Sequence, residues 1–194
     1  GTATAVLGKT TEEFASGEVA YLLQGDQTEQ VWGQNIDGEG EKDAYPVFSD
    51  ATVYQAKNCK GEISGYSNTD GKQLDHTYEN GFCTVCDGFQ SATGSGTASD
   101  PYQIGNAGQL YWFATKVNDG DTDAWAVLTA NITVNTGDVA GCNGTKAEGW
   151  KDWTPIGKDY DTQYEGTFDG KGFTVSGLYF NKSDTSYVGL FGFS

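Results

Sequence analysis

The chain contains a single histidine, and this histidine lies close in sequence to three of the four cysteines. Cys59, His76, Cys83 and Cys86 follow the pattern C-x16-H-x6-C-x2-C. Three thiolates and one imidazole are a complete tetrahedral ligand set for structural zinc, and a C-x2-C pair can bind one ion from a single turn. The stretch 59–86 is otherwise polar and poor in apolar residues, so it needs a cross-link in order to fold. We therefore predict a structural zinc site at these four positions.

Two other states of these cysteines stay open at this point. A secreted chain favours disulfides, and either Cys83 with Cys86 or Cys59 with one of them would give such a bond. However, a C-x2-C disulfide is unusual as a structural bridge, and a redox pair needs a βαβ context that this sequence does not offer. The third state is that of unmodified thiols. Under the zinc interpretation Cys142 is not a ligand, and we expect it to be a small, partly buried thiol.

Composition excludes several function classes. The 194 residues carry 11 basic and 27 acidic side chains, a net charge of −16. Nucleic-acid binders show a basic surface, which is missing here, and an anionic membrane surface would repel the chain. No apolar run approaches the length of a membrane span, so we predict no membrane insertion. The 28 glycines, against three prolines, indicate short strands joined by many turns.

The apolar pattern predicts two short helices among these strands. Thr10 and Glu13 have the spacing of a capping box, which begins a helix predicted over about residues 11–24. Asn106 is the expected N-cap of the second helix, in NAGQLYWFATKVN. WAVLTANITVN alternates between apolar and polar residues, with Leu128, Ala130, Ile132 and Val134 on one side, and it predicts a strand with one buried face.

We predict four segments within a mostly β, α+β fold. Residues 1–58 form a helix with short strands, and residues 59–90 form the zinc-binding segment. Residues 91–100, SATGSGTASD, have the composition of a linker. Residues 101–194 form a β-rich module.

Several motifs of the second half resemble a known family. GSGTASDPYQIGNAGQLYWFA, LTANITV, WTPIG, YEGTFDGKGFTVSGLYF and YVGLFG follow one another between residues 94 and 192. Together they resemble the opening of the β-helical modules that carry GLUG motifs in bacterial surface proteins. The resemblance implies a right-handed β-helix-like stack that begins in this chain and looks truncated at its end. It also implies that another chain could cover the exposed edge of that stack.

The first half resembles the segment that closes such modules. The motifs are EEFASGEVAYLLQG, VWGQNI and YPVF, within residues 10–58. The two resemblances imply a multidomain, secreted or cell-surface protein of a gut-type (Firmicutes) bacterium. They imply adhesion or display, with a host or dietary glycan or a surface protein as partner. GLUG-type modules also accompany surface proteases, so the parent chain could carry an enzyme elsewhere.

Two further groups of residues are candidate sites. Asp119, Asp121 and Asp123 match the first ligands of a calcium-binding EF-hand loop, but Ala124 and Ala130 occupy the positions of the required glycine and glutamate. A solvated turn is therefore the favoured interpretation of that segment. Aromatic side chains near WTPIG could form a sugar-stacking platform or could pack in the core. The four rings in question are Trp150, Trp153, Tyr160 and Tyr164.

The sequence as a whole predicts a non-catalytic fragment of a bacterial surface or secreted protein. Its role would be adhesion or display, supported by the zinc site. One alternative is a carbohydrate-binding module of a glycan-degrading enzyme, which would show an exposed row of aromatic rings. The other is part of a catalytic β-helix such as a polysaccharide lyase, for which the 11 lysines and arginines offer few basic partners. A Ser-His-Asp mechanism would need His76, which the zinc site already uses.

Overall fold

Short strands outnumber helices along the chain, as the sequence predicts. The computed structural model describes residues 8–142, 145–180 and 188–194. Within these residues there are three short α-helices, one more than the sequence predicts, and eleven strands of two to five residues. The chain divides between Thr77 and Tyr78 into two units, which are described one at a time.

The additional helix arises because Gly17 interrupts the predicted one. Helix α1 spans Thr11–Ala15 and begins at the predicted capping box between Thr10 and Glu13. Gly17 then adopts a φ of +87°, and helix α2 spans Glu18–Gln24. This left-handed conformation suits glycine, because it carries no Cβ. A Cβ at this position would also lie 2.8 Å from a methyl carbon of Ile36.

Two antiparallel strand pairs complete the first unit. Strand β1 (Trp32–Gly33) pairs with β2 (Val47–Phe48), and β3 (Tyr54–Lys57) pairs with β4 (Ile63–Ser67). Strands β1, β2 and β3 overlap the stretches QVWGQNI, YPVFS and ATVYQ, whose composition predicts extended segments, whereas β4 lies outside all three. The buried apolar side chains of this unit come from α2 and from β3 with the residue before it: Val19, Ala20, Val53 and Ala56.

The second unit contains a hairpin, one longer helix and parallel strands. In chain order its elements are β5 (Tyr78–Glu79), β6 (Phe82–Cys83), β7 (Tyr102–Ile104), α3 (Ala107–Asn118), β8 (Trp125–Leu128), β9 (Ile132–Thr133), a 3-10 turn (Tyr160–Thr162), β10 (Thr167–Asp169) and β11 (Val175–Ser176). Strands β7, β8 and β10 form one parallel sheet, with β8 in the centre. Strands β9 and β11 form a second parallel pair.

Helix α3 supplies the centre of the hydrophobic core in this unit. Asn106 is its N-cap and accepts a hydrogen bond of 2.9 Å from the N–H of Gln109, as predicted. The face of the helix that the sequence predicts to be apolar is buried. Its residues are Ala107, Leu110, Ala114 and Val117. They pack with side chains of the parallel strands, among them Ile104 and Ile132, and with Trp153.

The predicted strand in WAVLTANITVN is divided into β8 and β9, which belong to different sheets. The predicted burial is found at Leu128, Ile132 and Val134, whereas Ala130 is only partly buried. The division occurs around Asn131, whose side-chain oxygen accepts a hydrogen bond of 2.9 Å from the N–H of Thr174.

The stretch from β8 onward pairs in parallel with a later stretch at four places. β8 pairs with β10, and β9 pairs with β11. Two single bridges follow, Asp152 with Tyr179 and Ile156 with Phe191, both parallel. The four pairings occur in the same order along both stretches, so the two stretches run side by side at these four places.

Residues 91–100, which have the composition of a linker, form hydrogen bonds within the second unit. The N–H of Ser95 donates to the carbonyl of Asp100 at 3.0 Å, and the N–H of Trp125 donates to the carbonyl of Gly96 at 2.7 Å. A Cβ at Gly96 would lie 2.4 Å from the ring of Tyr102, so the backbone passes directly against that ring.

Candidate metal centre

The C-x2-C pair begins on a tight hairpin. Strands β5 and β6 are antiparallel, with Tyr78 opposite Cys83. The two residues between the strands, Asn80 and Gly81, have φ values of +47° and +79°. Two central residues with positive φ give the hairpin turn whose twist matches that of its strands, and Asn-Gly is its favoured sequence. Cys83 therefore ends a short strand of fixed register, and its side chain is buried.

Backbone N–H groups point at both sulfur atoms of the pair. The N–H groups of Val85 and Cys86 lie 3.4 and 3.5 Å from Cys83 Sγ. The N–H of Gly88 lies 3.4 Å from Cys86 Sγ. Such donors stabilise negative charge on sulfur, which is the form in which cysteine binds a metal. The turn is therefore arranged to hold two thiolates.

Helix α3 fixes the position of this hairpin within the second unit. The N–H of Gly108 donates to the carbonyl of Asn80 at 2.9 Å. A Cβ at Gly108 would lie 1.7 Å from the carbonyl oxygen of Gly81, so the two backbones meet at a distance that only glycine allows. The Phe82 ring packs edge-on against Tyr111, with 5.1 Å between the ring centroids.

Cys59 lies in the turn between β3 and β4, next to Asn58. The side-chain oxygen of Asn58 accepts hydrogen bonds from the N–H groups of Lys60 and Glu62, at 2.9 and 3.1 Å. A side chain that caps its own turn in this way limits the number of conformations open to the turn. His76 lies outside regular secondary structure, shortly after Leu74, whose N–H donates to the carbonyl of Lys57 at 2.7 Å.

The structure brings together the four ligands predicted from the sequence. One ligand atom from each of Cys59, His76, Cys83 and Cys86 lies within 4.8 Å of the others. Zinc bonds of about 2.3 Å to sulfur and about 2.0 Å to nitrogen separate tetrahedral ligands by about 3.5–3.8 Å. Small movements would thus let all four atoms coordinate one ion. Cys83 is buried, Cys59 and Cys86 are partly buried and His76 is exposed. The cluster can therefore hold a metal ion at the boundary between buried and exposed residues.

The calcium-binding interpretation of the acidic triplet gains no support from the structure. Across the described residues, the cysteine–histidine cluster is the one group of metal-ligating side chains drawn together closely enough to hold an ion. Asp119 ends helix α3, and Asp121 forms an ion pair of 3.5 Å with Lys116. Cys142 is partly buried, as the sequence predicts.

The four rings considered as a sugar-stacking platform differ widely in exposure. Trp153 and Tyr164 are buried in the core of the second unit, at 2% and 5% exposed. Tyr160 is 77% exposed. Trp150 is partly buried, and its indole N–H donates to the carbonyl of Thr136 at 2.9 Å. Two of the four rings therefore present little surface to a ligand.

The sequence identifies the four clustered side chains but does not identify the residues that position two of them. The Asn80-Gly81 dipeptide between two short β-prone pairs is a hairpin signal, so this turn could have been found. The role of Gly108 could not have been found, because an isolated glycine inside a helix pattern does not reveal which backbone approaches it. Tyr111 likewise falls inside the helix pattern, which does not indicate that its ring packs against Phe82.

Comparison with known proteins gives a distant relative. No family model matches the chain, and no solved structure matches it. A protein of Evansella cellulosilytica named "Putative Gly-rich membrane protein" is 30% identical over an alignment of 108 residues, and the alignment covers 52% of this chain and 10% of that protein. The chain thus spans about a tenth of the length of this relative. In the described part of this chain, none of the helices has the length and apolar character needed to cross a membrane.

Proposed function

We propose that Cys59, His76, Cys83 and Cys86 bind one zinc ion, and that this ion has a structural role. The observation that carries the proposal is the approach of all four ligand atoms to within 4.8 Å of one another. The donor set, three thiolates and one imidazole, is typical of structural zinc. The N–H groups directed at Cys83 and Cys86 add the outer hydrogen bonds that such sites use.

The ligand count favours structure over catalysis. A catalytic zinc ion keeps one position open for water or substrate, whereas four protein ligands complete the tetrahedron. The residues around Cys59 and His76 bury little apolar surface, since the segment 69–80 is exposed except at Leu74. Metal binding would supply the stability that packing does not supply there.

Cobalt substitution tests the ligand set. Co(II) in a site with thiolate ligands absorbs in the near ultraviolet through sulfur-to-metal charge transfer, with an intensity that rises with the number of thiolates. We expect this absorption in the cobalt-loaded protein and a clear loss of intensity in Cys86→Ser. The matched control Cys142→Ser changes a partly buried cysteine outside the cluster and should leave the spectrum unchanged. An equal loss in both variants, or no charge-transfer band at all, would remove the proposed site.

We further propose that the chain is a non-catalytic piece of a bacterial surface or secreted protein, with a role in adhesion or display. The four parallel pairings in one order are what successive coils of a β-helix would make, which supports the β-helix-like stack. The resemblance of residues 94–192 to GLUG-type modules supports the same interpretation. The net charge of −16 suits an exposed, soluble surface.

The relative from Evansella cellulosilytica adds support for a location at the cell envelope, because its name describes a membrane protein. The location of the parent protein can be tested with an antibody against this chain. We expect it to label intact cells of the source bacterium, or to detect the protein in the culture medium. Labelling only after the cells are permeabilised, with none in the medium, would contradict the proposal.

A further inference from the structure

A cleft in the second unit adjoins the C-x2-C hairpin. It consists of two depressions of about 240 and 350 Å³. Phe89, Tyr111 and Asp152 line both depressions, so the two adjoin each other. We name this feature the Tyr111 cleft. Its larger half alone falls within the usual size range of small-molecule sites, about 300–1,000 Å³.

Aromatic rings form a rigid wall on one side of the Tyr111 cleft. The Tyr111 ring packs against Phe89 and Trp153, with centroid separations of 5.5 and 5.0 Å. Trp153 is buried, and its indole N–H donates to the carbonyl of Gly189 at 2.9 Å, so the wall cannot turn aside. The partly exposed rings of Phe82 and Phe89 give this wall its accessible surface, while Trp153 supports it from behind. Aromatic surfaces of this kind accept ligands that have an apolar face.

The wall contains one polar group with no partner. Tyr111 is 9% exposed, and its hydroxyl has no hydrogen-bond partner among the described residues. A buried hydroxyl of this kind is costly and therefore uncommon. Burial raises the pKa of Tyr111, and the nearby Asp152 carboxylate raises it further, so the group remains a neutral O–H donor at physiological pH.

Charged groups of both signs line the cleft around this wall. The Lys151 ammonium lies over the Phe82 ring, 5.2 Å from its centroid. The Asp152 carboxylate forms an ion pair with Lys146, and its side chain is 62% exposed. Lys158 lines the larger depression and donates to the carbonyl of Asn118 at 3.1 Å. Asp87 and Asp119 also line the cleft, so its lining offers donors and acceptors together, with three carboxylates against two ammonium groups.

We propose that the Tyr111 cleft binds a neutral sugar ring of a glycan. A pyranose has an apolar face that can lie on the aromatic wall, and hydroxyl groups that can pair with Tyr111, Lys151 and Asp152. An anionic ligand is disfavoured, because the chain carries a net charge of −16 and the lining offers no surplus of positive charge. This site differs from the exposed ring of Tyr160, which does not line the cleft.

The test is sugar binding by the full chain. Tryptophan fluorescence and calorimetry are followed while the protein is titrated with cellopentaose, xylopentaose or mannopentaose, and with tetragalacturonate as the charged probe. We expect saturable binding of at least one neutral probe and none of tetragalacturonate. Because Cys83 and Cys86 line one end of the cleft, the zinc content is measured for every sample. A zinc-loaded protein that binds no neutral probe would overturn the cleft proposal and leave the zinc proposal standing.

A pair of matched variants locates the binding site. Tyr111→Phe removes only the unpartnered hydroxyl, so it should weaken binding about tenfold, the loss of one good hydrogen bond. The same change should leave the thermal midpoint unchanged or raise it, since no protein hydrogen bond is lost. Tyr160→Phe makes the same chemical change on an exposed ring and should leave binding unaltered. Weakening by Tyr160→Phe, or unaltered binding in Tyr111→Phe, would contradict the assignment.

Discussion

Two glycines decide how closely the β5–β6 hairpin approaches helix α3. Gly81 lies in the hairpin turn with a φ of +79°, and Gly108 lies in the first turn of the helix. The absence of both Cβ atoms lets the two backbones come into contact, and this contact holds the strand that carries Cys83. At this point the geometry of the proposed metal site depends on residues that do not bind the metal.

The substitution Gly108→Ala tests whether backbone packing or helix propensity has the larger effect on stability at this position. Alanine favours a helix over glycine by roughly 1 kcal/mol, so propensity alone predicts a gain in stability. The new Cβ would lie 1.7 Å from the backbone oxygen of Gly81, which cannot move aside as a side chain would. We expect the clash to prevail and the free energy of unfolding to fall by about 3 kcal/mol.

The matched control for this experiment is Gly170→Ala. Its Cβ would meet only one atom, at 3.9 Å, and its φ is not in the left-handed region. Chemical denaturation should show a change within about 0.5 kcal/mol for the control. A Gly108→Ala protein as stable as the control would show that the two backbones do not meet as described.

Asp37 gives the first unit a pH-dependent contribution to stability. Its carboxylate accepts hydrogen bonds of 2.7 Å from the N–H of Asn68 and from the hydroxyl of Ser67. Partial burial acts to raise the pKa of Asp37, but these two donors outweigh it and hold the pKa below the ordinary value of 3.8. A carboxyl whose pKa is lower in the folded state stabilises the fold above its unfolded pKa, and the contribution is lost as the pH falls through the folded value.

We expect Asp37→Asn to lower the free energy of unfolding by about 1 kcal/mol at pH 7. One of the two donors, Ser67 or Asn68, then faces the NH2 group of the new side chain instead of a charged oxygen. The difference from the unchanged protein should shrink as the pH falls below 3.8. Denaturation curves from pH 7 to pH 3 measure it, and Asp70→Asn, an exposed aspartate of the same unit, is the control. A difference that grows toward low pH would reverse the predicted sign.

At the scale of elements, the beginning of helix α3 is the feature that the sequence identifies best. Asn106 accepts the hydrogen bond from Gln109 that its position predicts, and its amide also donates to the Gln90 side chain at 2.8 Å. Local signals of this kind act within one turn of chain, so they can be read without knowledge of the fold.

Asn106→Ala should lower the free energy of unfolding by about 1 kcal/mol, the usual cost of a lost N-cap. Asn106→Asp keeps the accepting oxygen and loses the amide that reaches Gln90, so the comparison isolates the cap. Thermal unfolding followed by circular dichroism provides the measurement. If the alanine and aspartate variants are equally destabilised, the contact with Gln90 matters and the cap does not.

Elements whose ends depend on distant contacts were predicted less well. The capping box correctly gave the start of α1, but the packing of Gly17 against Ile36 divided the predicted helix. In the same way, the predicted strand in WAVLTANITVN is divided around Asn131, whose side-chain oxygen accepts a hydrogen bond from the N–H of Thr174. Each of these contacts joins residues far apart in sequence, so no local pattern announces it.

At the scale of the whole molecule, the proposed β-helix-like stack makes a claim about cooperativity. Ile132, Trp153 and Ile156 each donate a backbone hydrogen bond to the later stretch of chain, at 2.8, 2.8 and 3.0 Å. If the two stretches are successive coils, these bonds should open together. Phe173 provides the contrast, because its N–H reaches only Gly170 in the neighbouring turn, at 2.8 Å.

Native-state hydrogen exchange measures this cooperativity. We expect the amides of Ile132, Trp153 and Ile156 to exchange slowly and to respond alike to low concentrations of denaturant, while Phe173 exchanges faster. Protection at Ile132 together with rapid exchange at Trp153 and Ile156 would show that only a short ladder forms and that no coil is completed.

The metal cluster could be predicted from the sequence, whereas the solvent exposure of aromatic side chains could not. Spacing and residue type were enough to select Cys59, His76, Cys83 and Cys86, because few other combinations give a complete zinc ligand set. The solvent exposure of a side chain depends on the whole fold, so it could not be predicted in the same way. Trp153 and Tyr164 are of the residue types that form sugar-stacking platforms, yet both are buried in the fold.

The most direct test of the account is elemental analysis of the untagged, chelator-dialysed protein, with a thiol count on the same sample after denaturation in a chelator. We predict about one zinc ion per chain and four reactive thiols. We also expect removal of zinc to lower the thermal midpoint, while Cys142→Ser retains both the metal and the midpoint. A protein without zinc would contradict the central claim. Missing thiols would then indicate disulfides, and four reactive thiols would indicate cysteines with no cross-linking role.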